Sequence, residues 1–270
     1  LALLEAIDRW GPITVTELAR HLGIDKAIVS RMVTACQRDG WVIRHEGRIV
    51  LGPRASLLGH GGPMDQSVRQ AEPLVHAIAG VTGLMTQAYG LVGTQAVAFA
   101  SAKGPGPSLN PGLGTFTPLW VTAAGRSIAA QLDEATLDAI LPSDPLPDTR
   151  DVIAGLGPEF VAYLSSTVDP DEDTHPALPR THAELRRELE AIRRDGIASD
   201  PGQLSPQIAC IAVPWHHAAL PAALACVGPA TDIARSRVLI TTLLKAAVKR
   251  TATAHSITTA AAEIIAEPTS

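Results

Sequence analysis

Between Gly11 and Leu51 the chain is punctuated so closely that few folds can hold it. Gly11-Pro12 stops a helix whose apolar repeat is Leu1, Leu4 and Ile7, with Leu3 beside them. Thr14-Val-Thr-Glu17 then reads as a capping box: the Thr14 hydroxyl accepts from the amide of Glu17, and the Glu17 carboxylate reaches back to the amide of Thr14. The helix so opened, about residues 15–21, turns Leu18 and Leu22 inward and ends at Gly23. Asp25 caps the next helix, which places Val29, Met32, Val33 and Cys36 on one face. Asp39-Gly40 ends it. Residues 41–44 and 48–51 read as two strands joined by a tight turn at Glu46-Gly47.

Two short helices joined by a turn containing Gly form a helix-turn-helix, and a hairpin behind them is a wing. The order helix, helix, turn, helix, hairpin is more specific than any of its parts and points to double-stranded DNA. The outward face of the second of the paired helices carries Lys26, Ala27, Ile28, Ser30, Arg31, Thr34, Gln37 and Arg38. Its first two turns enter the major groove in this motif. Lys26, Ser30 and Thr34 suit phosphate or water-mediated contacts, and Arg31 a base edge or a phosphate. Ala27 and Ile28 suit thymine methyls. Arg44 and Arg48 on the wing would reach flanking phosphate or the minor groove. For any one of these residues, a merely solvated surface position is the competing reading.

Charge fits a DNA-binding head once the chain is divided. The net −5 separates into +2 over residues 1–60 and −7 over the rest, so one mildly basic module precedes an acidic body. At 270 residues and 46% apolar content the chain has material for two globular domains, and with 3% aromatics their cores must be aliphatic. Three cysteines, Cys36, Cys210 and Cys226, show no metal-ligand spacing and suit free thiols in a reducing cytoplasm. No apolar run reaches the ~18–20 residues that a bilayer span needs. The first residues carry Glu5 and no basic start, unlike a secretion signal, and the missing initiator Met suggests a trimmed chain.

Residues 53–59 read as a linker helix and Gly59–Pro63 as a hinge, since no phosphate-loop pattern is present there. This divides the chain into residues 1–52, 53–64 and 65–270. Beyond the hinge, Val68, Ala71, Leu74, Val75, Ile78 and Ala79 form a helical stripe ending near Gly83. Residues 86–100 suggest a hairpin turning around Gly90–Gly93. Residues 104–114, with three prolines and four glycines, form a loop. Thr122 is the natural cap of a helix over about 123–132, which leaves the amides of Ala123, Ala124 and Gly125 without intrahelical acceptors, an arrangement suited to an anion. A second capping box, Thr181-His-Ala-Glu184, opens a helix that ends at Gly196. Its Leu185, Leu189 and Ile192 face inward. Its Arg186, Arg187, Arg193 and Arg194 face outward among Glu184, Glu188 and Glu190, a salt-bridged surface rather than a nucleic-acid patch. Residues 208–215 and 222–228 read as buried strands, and 233–248 as a closing amphipathic helix. The body is thus an α+β sensor domain with antiparallel strands. His216-His217 lies near two cysteines in sequence, but adjacent histidines on a strand face opposite ways and more naturally sit in a turn, so no metal and no cofactor is expected. The acidic run Asp169, Asp171, Glu172, Asp173 reads as a solvated loop.

Taken together these segments resemble the IclR-type regulators, named for the isocitrate lyase regulator. The likeness runs over nearly the whole chain: TELARHLGIDKAIVSRM from Thr16 to Met32, GWVIR from Gly40 with LG at Leu51-Gly52, PLWVTAAGR from Pro118 to Arg126, IRRDGIASD from Ile192 to Asp200, and CIAVPW from Cys210 on to Gly228-Pro229. The resemblance implies a winged helix followed by a GAF-like effector domain with an antiparallel sheet and flanking helices. It also implies operator binding as a dimer or dimer of dimers, and response to small organic acids or aromatic metabolites. It places an effector pocket between the start of the Thr122-capped helix and the sheet, at Leu109, Ala123, Ala124, Asp200, Ile208, Cys210, Ala225 and Val227, and adds Thr16 to the DNA contacts.

The departures from the family pattern have chemical content. Gly202 and Gln203 stand where relatives often carry a Glu pair, Ala225 and Val227 where some carry hydroxyls, and Trp120 where His is frequent. They point to a less polar pocket and an effector with an apolar or aromatic body and at most one anionic end, glyoxylate-sized ligands filling it poorly. Ala27-Ile28 likewise replaces small hydroxyl residues. Cys210 is open to reading as an ordinary buried thiol, and Asp200 as a cap on its own turn. An enzyme on a GAF-like domain is the competing class, but the chain has no nucleophile elbow and no HExxH motif. A winged helix used only for protein contacts is another. Repressor or activator sign stays open.

Overall fold

The computed structural model describes residues 1–58, 63–104, 113–114, 116–148, 151–153, 177–216 and 220–266. Leu109, the acidic run at 169–173 and His217 lie outside them. The chain divides into two compact units, Leu1–Asp65 and Gln66–Ser270.

In the first unit, α1 (Ala2–Trp10), α2 (Val15–Leu22) and α3 (Lys26–Arg38) are followed by the hairpin β1 (Val42–His45) and β2 (Arg48–Leu51), and then by α4 (Pro53–Leu57). The caps are formed as the residue pattern requires. The Thr14 amide donates to the Glu17 carboxylate at 2.9 Å, and the Glu17 amide donates to the Thr14 hydroxyl at 3.2 Å. Gly23 closes α2 in the left-handed conformation, and Asp25 accepts from the amides of Ala27 and Ile28. Glu46 and Gly47 both have positive φ, 52° and 77°, the backbone of a two-residue hairpin turn. An antiparallel bridge from Ile13 to Ile49 ties the wing to the helices. The core holds Leu3, Ile7, Leu18, Val29, Val33, Val42 and Ile49.

Three apolar positions differ from expectation. Leu1 is 93% exposed because it caps α1 from outside, and the buried stripe is Leu3, Ala6 and Ile7. Met32 is 38% exposed: at 100° per residue it falls on the rim of the Val29–Val33 face, on the side away from Val33. Trp41 precedes the strand instead of opening it, and the Arg54 guanidinium lies 4.8 Å over its ring.

The second unit is built on a six-stranded antiparallel sheet of order β5-β4-β3-β8-β7-β6, with β3 (Met85–Val92), β4 (Gln95–Ala102), β5 (Phe116–Pro118), β6 (Ala198–Asp200), β7 (Ile208–Trp215) and β8 (Ala222–Pro229). One face packs on α5 (Pro63–Thr82), α9 (Ala230–Arg235) and α10 (Arg237–Ala266) through Val75, Ile211, Leu224, Ile233, Ile240 and Leu244. The other carries α6 (Ala123–Ala129), with α7 (Glu134–Ile140) and α8 (His182–Asp195) contributing to the same core. The hairpin turns at Gly93-Thr94, at the far end of the expected Gly90–Gly93 stretch, and Gly90 itself lies inside β3 with Leu220 packed where a side chain would project. The closing helix breaks at Ser236 into α9 and α10.

Two of the outward arginines of α8 find acids on α7, while Arg194 pairs with Asp195 of its own helix. Arg186 pairs with Glu134 and Asp138 of α7. Arg193 donates to the carbonyls of Ala130 and Leu132 and also reaches Glu134. Glu184 receives the amide of Arg180, one residue further back than a full capping box. Cys210 and Cys226 occupy adjacent rows on opposite faces of the sheet, so their nearness in the fold makes no shared site. Among the described residues no cluster of His, Cys, Asp or Glu is arranged to hold a metal, and no helix is long and apolar enough to cross a membrane.

Candidate nucleic-acid interface and ligand site

The 13 residues of α3 contain three cations and no acid. Lys26, Ala27, Ile28, Arg31 and Thr34 are exposed along it, Ser30 is half-buried, and Thr16 is exposed on α2. Asp25, holding two amides of the first turn, sets where the helix begins. Lys26, Arg31 and Arg44 make no ion pair or side-chain hydrogen bond among the described residues, so their charge is available to an outside anion. The Thr34 hydroxyl donates to the carbonyl of Ser30 at 2.9 Å, which spends its proton within the helix. Arg48 is exposed but tethered: it donates to the Pro12 carbonyl at 3.0 Å and lies 3.5 Å from Glu17. The Glu17 carboxyl is held below its ordinary pKa chiefly by the Thr14 amide and hydroxyl, with Arg48 adding to them.

In the second unit the sequence-derived pocket residues converge from α6, β6, β7 and β8. The register aligns Asp200 with Cys210 and Cys210 with Val227, while Ala225 pairs with Ala212 one step along. Ala96, Ala98, Ala198, Ala212, Ala223 and Ala225 make this sheet face flat and apolar, with Ile208 and Val227 at its margin. Every residue of α6 is buried. Gly125 is required there, since a Cβ would lie 2.5 Å from the Leu119 carbonyl oxygen.

The three expected free amides are not equivalent. That of Gly125 donates to the Thr122 hydroxyl at 3.0 Å, and that of Ala124 faces the Cys210 sulfur. Burial pushes the Cys210 thiol well above its usual pKa, and neighbouring Asp200 adds to that. On the opposite face burial pushes the Cys226 thiol up to about 11 against a contact with Thr86. Asp200 accepts from the amides of Gly202 and Gln203 at 3.0 and 2.7 Å, capping its own turn. Desolvation raises its carboxyl above the ordinary range even though Arg126 and those two amides pull the other way.

The sequence assigns no role to Arg126, Thr117 or Ser127, and marks Trp120 only as a departure from the family pattern. Arg126 is 1% exposed. It donates to the carbonyls of Trp120, Val121 and Ser199 and to Gln203 Oε1, and its Nε lies 3.2 Å from Glu188. It thereby ties α6 to the β6 turn and to α8. The other three are Thr117 Oγ1, Trp120 Nε1 and Ser127 Oγ, which are buried with no hydrogen-bond partner. Thr117 stands opposite Ala96 on the apolar face. Ser127 lies on the sheet side of α6, between Ala124 at Cys210 and Gln131, whose amide donates to the Ala222 carbonyl. Spacing gave no signal for Arg126, Thr117 and Ser127, because a lone Arg, Thr or Ser is ordinarily a surface residue.

Residues 161–257 match the family described as the bacterial transcriptional regulator IclR C-terminal domain, and residues 1–47 match the MarR family. Over 210 residues the chain is 23% identical to the HTH-type transcriptional regulator XynR of Escherichia coli (strain K12), covering 76% of this chain and 73% of that protein. The Thermotoga maritima IclR superposes with a TM-score of 0.60 at 21% identity, over 93% of this chain and 95% of that one. An IclR homolog from Microbacterium hydrocarbonoxydans, solved in complex with 4-hydroxybenzoate, gives 0.61 at 19% identity with the same coverage. The order of winged helix and antiparallel sheet with flanking helices is common to these structures and this chain.

Proposed function

We infer that this chain, a transcriptional regulator of the IclR type, binds operator DNA through α3 and the wing and changes that binding when a small organic acid enters the second unit. The observation that carries the DNA half is the outer face of α3, where Lys26 and Arg31 stand exposed and unpaired on a helix without acids. In this reading Thr16, Lys26, Ser30, Arg44 and Arg48 serve phosphate, Thr34 accepts from a bridging water because its own proton is donated to Ser30, and Ala27, Ile28 and Arg31 serve base edges. Residues 1–52 are the reading head, 53–64 the linker and hinge, and 65–270 the sensor. Two heads of a dimer, or four of a dimer of dimers, meet half-sites spaced by about one helical turn, ~34 Å, or a multiple.

The sensor half rests on the apolar sheet face beneath α6 and on the three buried polar atoms left unpaired around it. An unpaired buried hydroxyl or indole N–H costs about 1–3 kcal/mol, and an effector with an aromatic body and one polar end would supply the partners. 4-Hydroxybenzoate, held by the Microbacterium hydrocarbonoxydans homolog, has an aromatic body with one anionic end and a hydroxyl opposite it. With Ala123, Ala124, Ile208, Cys210, Ala225 and Val227 around it, Asp200 and Arg126 fix the walls rather than meet the anion.

Fluorescence anisotropy on duplexes selected from random DNA, against a scrambled duplex across a salt series, tests the first half. Binding near ~10 nM with a large preference over the scrambled control supports it, and equal weak binding to both opposes it. Calorimetry with aromatic acids against glyoxylate tests the second, and tight glyoxylate binding would overturn the apolar-pocket reading.

A further inference from the structure

We propose that Ile28 reads a thymine C5-methyl in each operator half-site, next to a guanine held by Arg31, so that recognition depends on a methyl group in the major groove. The inference rests on the DNA-binding reading and adds what α3 recognises.

Ile28 lies in the first turn of α3, the part of a recognition helix that penetrates deepest. Its amide is taken by Asp25, and its side chain is 43% exposed and has no polar atom. Such a side chain discriminates bases only by apolar contact, and the methyl of thymine is the apolar feature a base pair presents in the major groove. The polar candidates nearby are spent or displaced: the Thr34 hydroxyl is donated to Ser30, and Ser30 is half-buried. Arg31 is one turn on, exposed and unpaired. Three residues advance an α-helix by about 4.5 Å, close to the ~3.4 Å base-pair step. Ile28 and Arg31 therefore address neighbouring base pairs. Arg31 presents a fork that fits guanine O6 and N7. The face favours DNA over an apolar protein surface because Ile28 stands between unpaired cations and α3 bears no acid.

The experiment takes the tightest duplex that the full-length protein enriches from random DNA and replaces individual thymines by deoxyuracil, which removes only the methyl. One half-site thymine within a base pair or two of a guanine is expected to lose about fourfold in affinity, the worth of one buried methyl. Ile28→Ala, an exposed substitution whose folding is checked by thermal melting, is expected to bind the thymine and uracil duplexes equally. In a duplex carrying cytosine at that position, 5-methylcytosine is expected to restore a similar factor for wild type and nothing for Ile28→Ala. Overturning results are a selected half-site without thymine, wild-type indifference to uracil, or an Ile28→Ala protein that keeps the wild-type preference. A pool in which no sequence is enriched removes the DNA-binding reading and this inference with it. Enrichment without methyl dependence removes the inference alone.

Discussion

Arg126 is a charge placed where only full hydrogen bonding makes it tolerable. The five N–H groups of its guanidinium match the three carbonyls, the Gln203 oxygen and the Glu188 carboxylate around it. Lysine, with three donors on one nitrogen, serves that set incompletely. Arg126→Met leaves buried acceptors without donors, and by analogy with broken buried pairs it is expected to cost about 3–5 kcal/mol in urea unfolding, with Arg126→Lys falling between. A loss under ~1 kcal/mol would mean that the network relaxes around the gap. Asp200 behaves in the opposite sense. Its carboxyl is raised by burial, so the folded protein holds that proton more tightly than the unfolded chain does. Stability therefore falls as pH rises from the ordinary carboxyl pKa, about 3.9, through the raised folded value, and the loss is complete above it. Asp200→Asn keeps an acceptor for the Gly202 and Gln203 amides and removes the ionisation. Unfolding measured from about pH 4 to 7 is expected to show the variant gaining on wild type as pH climbs. A variant that loses ground instead would show that attraction to Arg126 outweighs burial. Neither residue announces its burial in the sequence: Arg126 sits among small residues that read as an ordinary helix start, and the carbonyls that hold it come from positions up to seventy-three residues away.

Elements were legible where their ends are chemical. Thr14, Gly23, Asp25 and the Glu46-Gly47 pair each solve a local backbone problem with a side chain or a glycine, and the structure places their helices and turn within a residue or two of expectation. What periodicity missed depends on curvature and on neighbours. Met32 falls at the rim of the Val29–Val33 face, and in the second unit the hairpin turns at Gly93-Thr94 while Gly90 stays inside β3, where Leu220 fills the space beside it. The α6 start over a strand pair was legible. The fates of its amides were not, since the partner of Ala124 is a thiol eighty-six residues on. The wing turn carries a testable weakness. Glu46 is the one non-glycine residue with positive φ among the described residues, a conformation that costs most side chains about 1 kcal/mol and asparagine less. Glu46→Asn is expected to stabilise the protein by up to ~1 kcal/mol in thermal or urea unfolding, and no gain would show that the Glu46 side chain compensates its own backbone. Thr14→Ala should cost about 1 kcal/mol by removing the cap of α2.

At the scale of the whole molecule, charge decides how tightly random DNA is held and so how much of the affinity is specific. A head of +2 on a body of −7 draws phosphate to α3 and the wing while the remainder repels it, which keeps the sequence-independent component small. Each phosphate neutralised by a cation releases a counterion and adds about 0.9 to the slope of log affinity against log salt. Lys26 is exposed, unpaired and at the start of α3, where the proposed docking brings it to backbone rather than base. Lys26→Ala is therefore expected to weaken binding to all sequences by a similar factor and to leave the selected consensus unchanged. The same variant counts heads. If one reading head occupies the duplex the slope shallows by about 0.9, and if two do, by about 1.8. Isotherms of wild type and variant on one selected duplex at four or five salt concentrations separate those values without any assumption about oligomeric state. A slope that does not change places Lys26 away from phosphate and shifts the electrostatic anchor to Arg44 on the wing, an exposed cation with no partner among the described residues.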